Sequence, residues 1–551
     1  MYVNLRIVGA VIDRPYNALR KCLMKHKGTK ARSVVLLALL ISFSAVAYGQ
    51  SDQITAGEVD AVIQAAVKAD SSPNFYVVVV DRAGRILGAW QKPNATAQSA
   101  EFALSLARTG AYFSNDQAPL SSRTVRYISG IHFPPGIPYA PTAALYGIEN
   151  TNRGCSLNTD FNPGQTVPAS QSFEAFLRSQ GLEAGDPLVC NAFDQSGCGA
   201  GITTGKYTAD FSNGHLVNVP PDELLDDRPY RVFGGGIPIF KNCKVVGGIG
   251  VYGNAPANAE YAALLGSLSG GPTFGPLGCL PPPHAIFLEG VRLPFAAQST
   301  RPAGSQPGPL VGGYIVTPRD GAAAPDSWLV GGPDQPRQSP ELSSDDVQRI
   351  VEQAVNEANR TRAAIRLPAG SRARMAISVA DLNGNILGLY RMADSTFFSV
   401  DVAVAKSRNV VYFSSRPNPN DLGVAAGTAV SNRTVSFTSQ PFYPPSIDGT
   451  QPGPSFDLFQ RDLANPCTQG YDTFNPVNWS GVVFFPGSLP LYKDGRLVGG
   501  LGISGDGVEQ DDLVSAGGAT GFEAPDEIKA DNFFLEDVRL PYLKFPRNPY
   551  D

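Results

Sequence analysis

Asp81-Arg82-Ala83-Gly84-Arg85-Ile86-Leu87-Gly88 returns 300 residues later as Asp381-Leu382-Asn383-Gly384-Asn385-Ile386-Leu387-Gly388. Further blocks recur in the same order. Tyr112-Phe113-Ser114 matches Tyr412-Phe413-Ser414, Arg123-Thr124-Val125 matches Arg433-Thr434-Val435, and Gly247 to Gly253 matches Gly499 to Gly505. Leu288-Glu289-Gly290-Val291-Arg292-Leu293-Pro294 is answered by Leu535-Glu536-Asp537-Val538-Arg539-Leu540-Pro541. Blocks that keep their order over this length mean one fold written twice. The expected domains are 50–296 and 341–551, joined by a Pro/Gly-rich connector, 297–340, in which Val311 to Val316 and Ser327 to Val330 are short strand candidates. Pro135 to Pro238 spans 103 positions against 45 for Pro445 to Pro490, so the first domain carries an insertion over about 136–230. That insertion is either a lid or partner surface, or packing decoration held by disulfides.

Each copy begins with a helical pattern. Val59, Val62, Ile63, Ala66 and Val67 share a face behind a Thr55 to Glu58 capping box, and Val347, Ile350 and Val351 follow Ser343 to Asp346. A hairpin comes next, Phe75 to Val80 with Arg85 to Trp90, then Met375 to Ala380 with Asn385 to Arg391; the Asp-x-x-Gly between the strands supplies a turn. Helices over about Thr96 to Tyr112 and Thr396 to Tyr412 lead into loop-like sequence. A second hairpin closes each copy, Ile237 to Phe240 with Lys244 to Val251, and Leu489 to Tyr492 with Arg496 to Ile503. Turns this short require antiparallel pairing. The fold class is α+β, two repeated domains that each layer helices on an antiparallel sheet.

Val34 to Ala47 is the one long apolar run, set between Lys25, Lys27, Lys30, Arg32 and the small-residue ending Ala47-Tyr48-Gly49. As a helix it would span about 21 Å, short of the roughly 30 Å hydrocarbon core, so residues 1–49 read as a removable signal peptide. If Met24 is the true start, the residues before it are an upstream extension. Export to the periplasm or the extracellular space is expected. Residues 1–49 hold eight Lys/Arg and one Asp/Glu, so a net charge of −5 for the whole chain becomes −12 for the remainder. Such a protein suits neither nucleic acid nor anionic lipid. Six cysteines remain, five before residue 300. Either a bridge reaches Cys467 from the first half, or each half keeps a free thiol.

The glycine-rich strands Gly248-x-Gly250-x-x-Gly253 and Gly500-x-Gly502-x-x-Gly505 match a dinucleotide fingerprint in letters only, because they end the repeat and follow a hairpin strand. Two purposes remain for them: close approach of a ligand, with a helix start favouring an anionic group, or close strand packing and a tight turn. His132, His215 and His284 are the only histidines after the signal, too few and too scattered for a histidine-based metal site. Noncovalent haem needs only an axial side chain in an apolar pocket, and His132 is the best first-half candidate although its counterpart is Phe442. Arg408, like Arg108, is a repeated cation. Lys406 is distinctive because it closes the largely apolar run Val400-Asp401-Val402-Ala403-Val404-Ala405, and its counterpart is Leu106.

Ala380-Asp381-Leu382-Asn383-Gly384, Ala405-Lys406 with Tyr412-Phe413, and Gly487-Ser488-Leu489-Pro490 leading to Val498 through Gly505 resemble the GlcG/HbpS family of small haem-binding proteins, and also the PduO C-terminal domain. Asp511 and Asp512 resemble the family's acidic position in the following helix. The first copy departs at Leu106, Tyr252 and Asn254. The resemblance implies a GlcG/HbpS-like fold with broadly profilin/PAS-like layering, and two copies imply an internal pseudo-dimer, with further self-association left open. It implies an exported protein binding haem noncovalently, or a related small molecule, for sensing or scavenging. Tyr112, His132, Tyr412, Gly248, Gly250, Gly253, Gly500, Gly502 and Gly505 are the expected ligand-binding residues, with His132 or Tyr412 on iron. The alternatives are an enzyme acting on a small organic acid or aldehyde through Lys406, Arg408 and Asp511, and a ligand-free structural or interaction protein.

Overall fold

A computed structural model describes residues 53–130, 143–151, 233–415, 421–447, 449–464, 477 and 481–551. Most of the expected insertion lies outside them, as do His132, His215, Cys155, Cys190, Cys198 and Cys467. Residues 52–551 form one compact unit.

The first copy comprises α1 (Ala56–Ala69), β1 (Tyr76–Asp81), β2 (Ile86–Gln91), α2 (Ala97–Phe113), α3 (Ser122–Ile128), β3 (Gly236–Lys241), β4 (Lys244–Tyr252) and α4 (Pro256–Ser267), followed by a small hairpin, β5 (Phe287–Leu288) and β6 (Val291–Arg292). Two connector strands come next, β7 (Gly313–Val316) and β8 (Ser327–Val330). The second copy repeats the order: α5 (Ser344–Arg360), β9 (Ala376–Ala380), β10 (Ile386–Arg391), α6 (Ser399–Ser415), α7 (Asn432–Thr438), α8 (Phe456–Ala464), β11 (Ser488–Lys493), β12 (Arg496–Ser504), α9 (Val508–Gly518), β13 (Phe534–Leu535) and β14 (Val538–Arg539). The stretches read as loop-like after α2 and α6 contain the short helices α3, α7 and α8. Ser121 and Ser431 cap α3 and α7 by accepting from the backbone N–H three residues on. Seven residues are too few for a visible apolar period.

The two five-stranded sheets have the orders β3-β4-β1-β2-β7 and β11-β12-β9-β10-β8, with antiparallel pairing throughout. The connector therefore closes one edge of each sheet. Equivalent aromatic pairs hold these edge strands, Trp90 on Tyr314 at 4.7 Å and Trp328 on Tyr390 at 5.5 Å. Register also repeats: Val80 faces Gly248 as Ala380 faces Gly500.

Alternation along β1 explains its unbroken apolar run. Val77 and Val79 pack with α1 and α4, while Tyr76, Val78 and Val80 face α2. The α2 side of the first sheet and the α6 side of the second share one core. Phe113 stacks on Phe398 at 4.3 Å, and Phe397 N–H donates to the Tyr112 carbonyl at 2.9 Å. A polar network flanks this contact. Asp394 pairs with Arg82 at 3.2 Å and Arg366 at 2.6 Å and accepts from Asp116 N–H at 3.1 Å, while Arg366 also pairs with Asp506. Among the described residues, no helix is long and apolar enough to cross a membrane. The Cys243 and Cys279 sulfurs lie at disulfide distance.

Candidate functional site

The repeated Asp-x-x-Gly blocks are turns that seat the central helix. Asp81 Oδ1 accepts from Ala83 and Arg85 N–H at 3.0 Å each, and Asp381 Oδ1 accepts from Asn383 and Asn385 N–H at 2.8 and 2.9 Å. Gly84 and Gly384 take φ of 84° and 79°, which side chains rarely adopt. Arg108 and Arg408 then donate Nε to the Gly84 and Gly384 carbonyls, at 3.0 and 2.7 Å. Burial lowers the Arg408 guanidinium to about 9, against the raising effect of Asp381. Arg408 thus joins helix to turn, as Arg108 does. Tyr112 donates to the Ala83 carbonyl at 3.1 Å, and the buried Tyr412 hydroxyl bonds Asp421. Neither tyrosine lines the cleft described below, so neither is placed there to meet a ligand or iron.

The glycine-rich strands admit helix backbone. A Cβ on Gly248 would meet Ala111 N at 2.8 Å, on Gly250 Ala107 N at 2.6 Å and on Gly502 Ser407 N at 2.6 Å; on Gly500 it would strike the Ser407 carbonyl. The ligand-approach reading of these four positions gives way to close packing by α2 and α6. Gly253, at φ 115°, lies against Asn74 and Ser99 in a tight turn, whereas Gly505 reaches the cleft. In the second copy the helix start expected to favour an anion already carries Glu509 and Asp511 in the first turn of α9.

Lys406 and Asp511 do come together. The buried Lys406 ammonium donates to Asp511 Oδ2 at 3.0 Å and to the Ile503 carbonyl at 2.8 Å, and lies 4.6 Å from the Phe485 ring centre. Burial lowers the lysine pKa; burial raises Asp511 to about 7, opposed by the lysine's charge. Gly487, with φ 119°, abuts the pair: a Cβ there would lie 2.5 Å from the Asp511 Cβ and 2.6 Å from the lysine nitrogen. Neighbouring Asp512 instead pairs with Arg433, as Glu260 pairs with Arg123 at 2.6 Å in the first copy. The Arg–carboxylate pair belongs to the repeat. The Lys–Asp pair belongs to the second copy only, because Leu106 and Ala259 hold the equivalent positions.

Asp511 lines a small cleft between the copies, with a cavity volume of about 70 Å³ that opens to solvent. Phe113, Leu120, Ile128 and Leu288 contribute from the first copy; Phe398, Phe485, Ser504 and Val508 contribute from the second. The corresponding place in the first copy is filled. Tyr252, at the position of Ser504, stacks on Phe102 at 4.6 Å and meets Phe233 edge-on at 5.1 Å. Leu106, Tyr252 and Asn254, the three departures from the family pattern, stand where the second copy has Lys406, Ser504 and Asp506. Those departures were the one signal in the sequence that only one copy holds an open site; Phe113, Phe485 and Gly487 gave none beyond their motifs. Among the described residues, no group of three or more His, Cys, Asp or Glu is arranged to hold a metal ion.

No curated protein matches the chain significantly. Three solved structures are similar to about a third of it. A PduOC–haem complex aligns at 23% identity over 33% of this chain and 96% of that one, with a TM-score of 0.22. Klebsiella pneumoniae protein ORFY aligns at 18% over 34% and 96%, with a TM-score of 0.23, and a double mutant of Streptomyces reticuli HbpS at 19% over 36% and 97%, with 0.20. Residues 342–520, within the second copy, match the family model described as haem degrading protein HbpS-like.

Proposed function

We propose that this chain is an exported small-molecule binding protein whose ligand enters the cleft between its two copies. One observation carries this reading: an apolar cleft opens beside Asp511, the partner of Lys406, whereas aromatic side chains occupy its counterpart in the first copy. A ligand-free structural role gives no reason for a buried Lys–Asp pair where the same fold manages with Leu106 and Ala259.

Haem is the ligand to test first, because the family description names it. Phe113, Phe398 and Phe485 suit a flat apolar ring. The described lining, however, holds no His, Cys, Met or Tyr for iron, and Glu289 and Glu509 at the mouth oppose propionates. His132 lies outside the described residues. The described residues alone therefore do not make a haem site. Titration followed in the Soret region decides the matter. A saturable change at one haem per chain, weakened in His132→Ala, assigns haem as the ligand.

The cleft itself is tested by Ser504→Tyr, which copies the residue at the filled position. It should weaken binding of haem or an apolar fluorescent probe by about tenfold or more, in a variant shown by its thermal melt still to be folded. Binding that is unaltered in this variant, or no saturable binding at all, removes the reading. The enzymatic alternative keeps Lys406 and Asp511 and loses Arg408 to the turn. Its observation is a buried lysine of lowered pKa beside a carboxyl raised to about 7, and turnover of an aldehyde unchanged in Lys406→Leu would reject it.

A further inference from the structure

Asp511 uses one carboxylate oxygen in its ion pair and leaves the other without a hydrogen-bond partner among the described residues. Oδ2 accepts from Lys406 at 3.0 Å; Oδ1 is buried and has no hydrogen-bond partner among the described residues, although the residue lines the cleft. Leaving such an atom unmet costs about as much as a lost hydrogen bond to a charged group, so a ligand that meets it gains that amount. The other carboxylates around the cleft are already engaged or stand at its mouth. Asp506 pairs with Arg366 and accepts from Asn115 at 3.3 Å, and Glu509 pairs with Lys544 at 2.9 Å. Glu289, from the first copy, is raised by partial burial and by the charge of Glu509 facing it. The buried Lys406, outside the cleft lining, has its donors turned to Asp511 and the Ile503 carbonyl. An incoming carboxylate thus meets acids at the mouth and an acceptor at the floor. A donor group meets attraction at both.

Resting on the cleft-binding reading, we propose that the preferred ligand is an apolar ring-bearing molecule carrying a hydrogen-bond donor, an alcohol or an amine, received by Asp511 Oδ1, and that carboxylates are rejected. The aromatic walls hold the ring and the acid at the floor reads the polar group. This departs from haem, whose polar groups are acids.

A matched naphthalene series tests it by calorimetry with the full chain, at about pH 8 so that Asp511, raised to about 7, is ionised. The probes are 2-naphthylmethylamine, 2-naphthalenemethanol, 2-methylnaphthalene and 2-naphthoate. The amine and the alcohol should bind about tenfold or more tighter than the methyl compound, and the carboxylate weakest. Asp511→Ala alone strands the buried lysine, so the decisive variant is the double Lys406→Leu, Asp511→Ala, which reproduces a pair the first copy already accommodates. In it, the alcohol should bind within about twofold of the methyl compound. If 2-naphthoate binds as well as the amine, or the alcohol's advantage survives the double variant while Ser504→Tyr still blocks every probe, the donor preference is overturned and cleft binding stands. If no probe binds the unmodified chain, both fall.

Discussion

Asp511 shows what burial does to one carboxyl. In water it would ionise near 3.8; inside the chain, desolvation outweighs the attraction of Lys406 and raises it to about 7. The folded state therefore holds its proton more tightly than the unfolded state does. Such a group contributes stability that is fully present below about pH 4 and is lost as pH rises through about 7. Asp511→Asn should flatten this part of the profile, on the order of a few kcal/mol between those limits. Thermal melts of both proteins across that window check it, and parallel profiles would show that the ion pair with Lys406 controls the titration. Lys406 was visible in the sequence as a lysine at the end of a largely apolar run whose counterpart in the first copy is leucine. Its partner, 105 positions away, was suggested by family resemblance, and the distance of 3.0 Å came from folding.

At the scale of elements, the decisive contact is helix backbone on strand backbone. Gly502 faces the Ala403 carbonyl and the Ser407 N–H, and neither can move aside without breaking α6. Gly502→Ala should cost at least about 3 kcal/mol, read as a lower denaturant midpoint with an unchanged slope. A mild effect would mean that the helix can ride outward. Hairpins, capping boxes and the central helices were legible because their signals are local: alternation, Asp-x-x-Gly turns, and Thr55–Glu58 and Ser343–Asp346, both of which form capping boxes. The purpose of the glycines was not legible, since the same letters serve a ligand or a helix.

Across the whole molecule, the two copies share a core and a charged seam, and Asp394 is the seam's common acceptor. It serves Arg82 and the Asp116 N–H of the first copy and Arg366 of the second. Asp394→Ala should lower stability by about 3 kcal/mol, because two largely buried guanidiniums lose a shared carboxylate. Calorimetry should resolve separate transitions for the copies where the parent shows one. A single unsplit transition would place their coupling in the apolar contact of Phe113 with Phe398 instead.

By itself the sequence determined the duplication, the order of elements in each copy and the antiparallel hairpins, because these follow from spacing within a few tens of residues. It also marked Leu106, Tyr252 and Asn254 as the places where the copies differ. Tertiary structure alone decided that the connector strands β7 and β8 complete both sheets, that Tyr112, Tyr412 and Arg408 serve turns and packing, and that one cleft is open while its counterpart is filled. Each of those outcomes depends on which distant surfaces meet, and a side chain's chemistry does not encode its neighbour across the chain.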